Sequence, residues 1–195
     1  MRLLVAAVLV LTACASSPPT QFYTLSAGSA GSVAPVAATE YAIVVGPVVV
    51  PASVDRPQLV LRQSENRVVL AEQARWAEPL TTAIPETIAT NLAEILNSKR
   101  VLAYPETAED SGYQVSLQVL RFDSEMSQAA TVEIVWSIRR SNGDESAVGR
   151  AFVREPVNGT GYEELVAAHS RALRAISAKI AQDIRRTAAG EQLRS

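Results

Sequence analysis

The spacing of hydrophobic and polar positions changes along this chain, and each change marks an element. Tyr113, Val115, Leu117 and Val119 alternate with Gln114, Ser116 and Gln118, the period of a strand with one buried face. Val132, Ile134, Trp136 and Ile138 alternate with Thr131, Glu133, Ser137 and Arg139 in the same way, Val135 being the exception. Asn142-Gly143 then supplies the positive φ angles of a tight turn, which predicts a hairpin with a following strand, Ala147 to Arg154. Earlier, Ile43-Val44-Val45 and Val48-Val49-Val50 flank Gly46-Pro47 in a β-branched run suited to a buried strand. Pro47 and Pro51 confine its pairing to an edge or to its ends. Gln58 to Arg62 and Arg67 to Glu72 read as a second hairpin around Ser64-Glu65-Asn66, and Arg100 to Tyr104 as a further strand.

Elsewhere the period is helical. Leu80, Ile84, Ile88, Leu92, Ile95 and Leu96 fall on one face of a helix running from Pro79 to Asn97. Pro79 suits its first turn, whereas Pro85 should kink it or mark a restart, because the ring excludes one backbone hydrogen bond. A longer helix opens with Thr160-Gly161-Tyr162-Glu163, read as a capping box. Its stripe of Tyr162, Val166, His169, Leu173, Ile176, Ile180 and Ile184 advances by steps of four and three. Such a stripe lies across a sheet or pairs with another helix, and the strand-rich order favours the sheet. The expected fold is α+β: a mixed, mostly antiparallel sheet with two helices packed on it, formed by residues 41–186, with 187–195 a frayed polar tail.

The N-terminus is of another kind. Leu3 to Leu11 is an apolar run behind Arg2, too short for the roughly 20 residues that span a bilayer, and it ends in Leu11-Thr12-Ala13-Cys14. This resembles the lipobox of a bacterial lipoprotein: 1–13 would be the signal peptide, and Cys14 the lipid-modified first residue of the mature chain. The other reading is an ordinary secretory peptide cleaved near Ala13. Cys14 is the only cysteine of 195 residues, so the fold rests on its apolar core, not on disulfides. Two or three acyl chains hold a protein firmly where one does so marginally. Ala15, rather than an aspartate, follows the cysteine, which by the enterobacterial sorting rule favours the periplasmic face of the outer membrane. Residues 15–21 and 26–39 have tether composition, with Phe22-Tyr23-Thr24-Leu25 between them as a short edge strand, so 14–40 is expected to form a lipidated flexible tether. About 25 such residues extend to roughly 80 Å.

Charge narrows the partners. Removing 1–13 takes away Arg2 and leaves 17 of the 18 basic residues against 20 acidic ones, a net charge of −3 that makes nucleic acid an unsuitable partner. The single histidine, His169, excludes a His-rich metal site and leaves one residue around which a Ser-His-Asp triad could be built. Its place on an apolar helix stripe favours a core histidine instead. No nucleophile elbow, phosphate loop or dinucleotide fingerprint is present, and Gly28 to Ser32 has tether composition. Glu109-Asp110 and Glu163-Glu164 read as turn and helix-start charges, and Asn158-Gly159-Thr160 as a sequon that carries no sugar in a bacterial lipoprotein.

Two motifs remain: Gly46 to Arg62, containing Asp55-Arg56-Pro57-Gln58, and Trp76-Ala77-Glu78-Pro79-Leu80. Together with Phe22-Tyr23-Thr24-Leu25 they resemble, in order, the ABC-type transport auxiliary lipoprotein family. The departure is Ser53-Val54, where that family usually has Tyr-Leu. The resemblance implies a non-enzymatic component of an MCE-type envelope lipid transport system, with no cofactor beyond the covalent lipid on Cys14. Its partners would be the membrane and a periplasm-spanning MCE-domain protein. Asp55, Arg56, Arg62 and Trp76 are the candidate partner contacts, the two arginines being suited to lipid phosphate or an acidic partner. The residues alone allow a rigid turn at Asp55-Arg56-Pro57, since a residue before proline is held extended, and a core role for Trp76. They also leave open a lipoprotein regulator of a peptidoglycan synthase, a hydrolase built on His169, and self-association through the C-terminal helix.

Overall fold

A computed structural model describes residues 18–28, 41–106, 112–140, 143 and 145–192. Within them lie eight strands, β1 (Gln21–Tyr23), β2 (Ile43–Val49), β3 (Gln58–Ser64), β4 (Arg67–Trp76), β5 (Val101–Ala103), β6 (Tyr113–Glu125), β7 (Ala129–Arg140) and β8 (Glu145–Pro156), and two helices, α1 (Leu80–Ile95) and α2 (Tyr162–Gln192). The strands form one mixed sheet, and both helices lie side by side on one face of it, α1 over β2 and β5, α2 over β7 and β8. This is the expected α+β architecture.

The expectation of a mostly antiparallel sheet needs correction. β3–β4, β6–β7 and β7–β8 are antiparallel, but β1–β4, β2–β5, β2–β6 and β3–β6 are parallel, so four of the five neighbours along the path β1-β4-β3-β6-β2-β5 run the same way. The antiparallel pairs are joined by short turns. The parallel ones join segments distant in sequence, and only long connections can bring strands together in that sense.

β6 organises the sheet. β7 pairs with it from Tyr113 to Glu125 and so occupies one edge. On the other edge β2 takes Tyr113 to Gln118 and β3 meets Ser124, so the sheet forks into a β2–β5 branch and a β3–β4–β1 branch. A register shift between Val119 and Arg121 lets the strand continue past the point where its alternation breaks. For that reason β6 reaches Glu125, six residues beyond the expected Val119.

The core lies between sheet and helices, where Ile43, Leu59, Ile84, Ile88, Leu92, Ile134, Ile138, Leu173 and Ile176 are fully buried. α1 continues through Pro85 without a restart and ends as Asn97 turns to φ 49°, the left-handed conformation that closes a helix. α2 begins at Tyr162, one residue later than a Thr160–Glu163 box requires. Glu164, not Glu163, folds back over its start, close enough that a Cβ on Gly161 would lie 2.5 Å from Glu164 Oε2. α2 runs on to Gln192, six residues past its expected end. The expected hairpin turn at Asn142 lies outside the described residues, but the β7–β8 pairing it joins is as expected.

Candidate functional site

The segment between β2 and β3 is a tight loop held by its backbone. The Pro51 carbonyl accepts from the N–H groups of Val54 (3.0 Å) and Asp55 (3.1 Å), and the Val54 carbonyl accepts from Arg56 (2.9 Å). The Pro57 carbonyl then accepts from Trp76 N–H at 2.7 Å, and Ala77 N–H donates to the Tyr23 carbonyl at 2.9 Å. These bonds bring residues 55–57 and 76–79, some 20 positions apart, around one pocket of about 420 Å³. Trp76 and the prolines Pro57 and Pro79 line it, and Asp55, Arg56 and Glu78 bring charge to it. Neither Asp55 nor Arg56 makes an ion pair or side-chain hydrogen bond with another described residue, and both side chains are exposed. The turn reading of Asp55-Arg56-Pro57 therefore holds for its backbone, while the two charges stay available.

Trp76 belongs to the core and to the pocket at once. Only 6% exposed, its ring meets Phe122 edge-on at 6.0 Å and His169 at 6.3 Å. His169 is 0% exposed, stacked on Phe122 at 4.1 Å with 9° between the planes, its Nε2 2.8 Å from Ser124 Oγ. Burial lowers its pKa to about 3, so it is neutral at physiological pH. Its Nδ1 has no hydrogen-bond partner among the described residues. A fully enclosed imidazole cannot reach a substrate, so this is the core histidine that the stripe favoured.

Arg62 is elsewhere. It donates to Asp123 Oδ1 at 2.8 Å and to the Glu65 carbonyl at 2.9 Å, bracing the β3–β4 turn against β6, and the bond to Asp123 raises its pKa. It lines a second cavity, of about 250 Å³, with Val60, Val68, Leu120 and Asp123. Ser53 and Val54, the two departures from the family pattern, line this cavity too. The structure thus unites Asp55, Arg56 and Trp76 and separates Arg62 from them by the loop. Cys14 lies outside the described residues. Sequence reasoning missed Asp123 as the partner of Arg62. Its only signal was the continuation of the β6 alternation, Phe122 and Ser124 inward, beyond the bulge.

Among the described residues no group of His, Cys, Asp and Glu is placed to hold a metal ion, and no helix is long and apolar enough to cross a membrane.

The model of the ABC-type transport auxiliary lipoprotein component family matches residues 23–181, from the β1 tyrosine to beyond the middle of α2. The chain belongs to this family. The auxiliary lipoprotein component shares its fold with a crystal structure of an uncharacterized protein, at 20% identity and a TM-score of 0.70 over 86% of this chain and 99% of that one. It also resembles a Xanthomonas campestris protein of the DUF330 family, at 19% identity and a TM-score of 0.71 over 89% and 99%. No curated protein sequence matches it. Family membership makes the chain an auxiliary lipoprotein component of an ABC-type transport system, attached to a membrane of the cell envelope.

Proposed function

We propose that this auxiliary lipoprotein is anchored through a lipid on Cys14 at the periplasmic face of the outer membrane. It acts without catalysis, receiving the periplasm-spanning MCE-domain protein of an ABC-type lipid transporter at the pocket between residues 55–57 and 76–79. One observation carries the choice of surface: two family motifs, distant in sequence, line a single pocket whose rim charges, Asp55 and Arg56, have no side-chain partner among the described residues. A mainly apolar floor with a few unpaired polar groups is the composition of a recognition site. Charges that the fold does not use cost nothing to the monomer and serve orientation toward a partner.

In-cell crosslinking of the full-length lipoprotein, followed by affinity purification and mass spectrometry, tests this. Recovery of an MCE-domain protein, lost when Asp55→Ala and Arg56→Ala are combined, is the expected result. Recovery of a peptidoglycan synthase with no MCE-domain protein would overturn it.

A further inference from the structure

The anchor and the domain are closer together than the composition of the N-terminal segment implies. Residues 21–28 are fastened to the body: β1 pairs with Ala74 to Trp76 of β4 and Tyr23 packs on Tyr162 of α2. Leu25 is buried, Ser26 N–H donates to Ser170 Oγ at 3.1 Å, and a Cβ on Gly28 would lie 2.9 Å from Arg174. Only residues 15–20 separate Cys14 from β1. Seven Cα steps span at most about 25 Å, against a diameter of roughly 35–40 Å for a compact domain of about 150 residues. A lipid on Cys14 therefore holds the β1–β4 edge at the bilayer.

The direction of the leash is set by the sheet. β1 runs parallel to β4, so the chain preceding Gln21 arrives from the hairpin end of β4, where Arg67, Val68 and Leu70 stand. Val68 and Leu70 lie on the face of the sheet that carries no helix, as does Phe22, opposite Arg75. Phe22 is 65% exposed, Val68 47% and Leu70 38%, so this short edge leaves three large apolar side chains open to its surroundings. The far part of the same face also leaves apolar side chains open, Phe152 at 52% and Val148 at 63%, but it lies away from the leash and is laced with ion pairs. There Arg150 pairs with Glu133 and Arg154 with Glu125, and Arg121 lies over Phe152. Five strand spacings of about 4.8 Å separate β8 from β1, so Phe152 sits roughly 24 Å from the edge that the leash holds down.

Resting on the lipidation of Cys14 proposed above, we infer that Phe22, Val68 and Leu70 lie in the headgroup–acyl boundary of the phospholipid bilayer that carries the anchor. Lipid and sheet edge then form one membrane-contact surface, and the Asp55–Arg56 pocket is presented in a fixed orientation rather than at the end of a long tether. A single aromatic with aliphatic neighbours and flanking arginines is the composition of an interfacial contact, and the anchor supplies the proximity that so small a patch needs.

Acylation of Cys14 consumes its thiol, so a cysteine introduced elsewhere is the only one free for labelling. The lipoproteins with Phe22→Cys, Leu70→Cys or Phe152→Cys are labelled with an environment-sensitive nitrobenzoxadiazole dye. They are then reconstituted into vesicles of phosphatidylethanolamine and phosphatidylglycerol, with or without doxyl-labelled phospholipid. Quenching of at least twofold at positions 22 and 70, with little at 152, is expected. Equal quenching at all three positions, or none at any, overturns the inference. So does quenching at 152 alone. The intact mass of each preparation separates the two layers: lipid present without face-selective quenching sinks only the orientation, whereas no lipid on Cys14 removes the anchor and the orientation with it.

Discussion

The two tryptophans of this protein are almost equally buried, Trp76 at 6% and Trp136 at 2% exposure, yet they do different work. Trp136 joins layers. Its indole N–H donates to Asp183 Oδ2 of α2 at 3.1 Å, and its ring lies over Gly149 of β8, where a Cβ would come within 2.3 Å of the ring carbons. Trp76 closes the core against Phe122 and His169 on one side and lines the pocket on the other. Burial alone does not separate a structural aromatic from one that borders a site. What separates them is whether every face of the ring is used by the fold.

The largest effect tests that contrast directly. Trp136→Ala is expected to lose about 4–5 kcal/mol in urea denaturation, the upper end for removing a buried aromatic, because Asp183 also loses its donor. A loss below 2 kcal/mol would mean that the sheet–helix junction does not depend on this ring. Trp76→Ala should cost about 3–4 kcal/mol. Trp76→Phe keeps most of the ring contacts and is expected to lose under about 1.5 kcal/mol. If Trp76→Phe folds normally and still weakens capture of the transport partner, the ring serves the pocket as well as the core. Normal capture would return it to the core alone.

Gly149→Val is expected to destabilise by about 3 kcal/mol, the cost of forcing a side chain into a packed site, since the Asp183 bond restrains the indole from moving away. A Gly149→Val chain with the wild-type denaturation midpoint would show that Trp136 has room to move.

His169 sharpens the comparison through pH. Burial lowers its pKa from 6.5 to about 3 in the folded state, so below pH 6.5 the unfolded chain binds a proton that the native one refuses. The stability from neutral His169 is full above pH 6.5 and is lost as pH falls from there toward 3, at about 1.4 kcal/mol per pH unit. Between pH 6.5 and 5 this amounts to about 2 kcal/mol. The slope of stability in that window should largely vanish in His169→Gln, and an unchanged slope would assign it to other groups. The smallest stability effect belongs to Asp55→Ala with Arg56→Ala, expected within about 0.5 kcal/mol because exposed charges with no partner among the described residues contribute little. A large loss of stability there would make the rim structural and remove the reason for reading it as a contact surface.

How much of this was legible beforehand differs by kind of feature. Strands and helices were, because the spacing of apolar residues states which face of a segment is buried: the α2 stripe from Val166 to Ile184 lies on the core as its steps of four and three require. His169 was placed by the same stripe. The bulge at Val119–Arg121 was not, since a single extra residue looks like the end of an alternating pattern. Nor was the docking of Ser26 and Gly28 on α2, because small residues leave no periodic signal.

By itself, then, the sequence determined the elements, the layering of two helices on a sheet, the family, and the motifs that carry the candidate site. Tertiary structure alone decided that β6 shares one edge between two branches, that most neighbours in the six-strand path are parallel, and that residues 55–57 and 76–79 meet. It also decided that Gln21 to Gly28 are fastened to the body by β4 and α2. The reason is physical. Periodicity is a local property and records which side of a segment meets the core, whereas the identity of the neighbouring strand is chosen by packing between residues far apart in the chain, which no local pattern records.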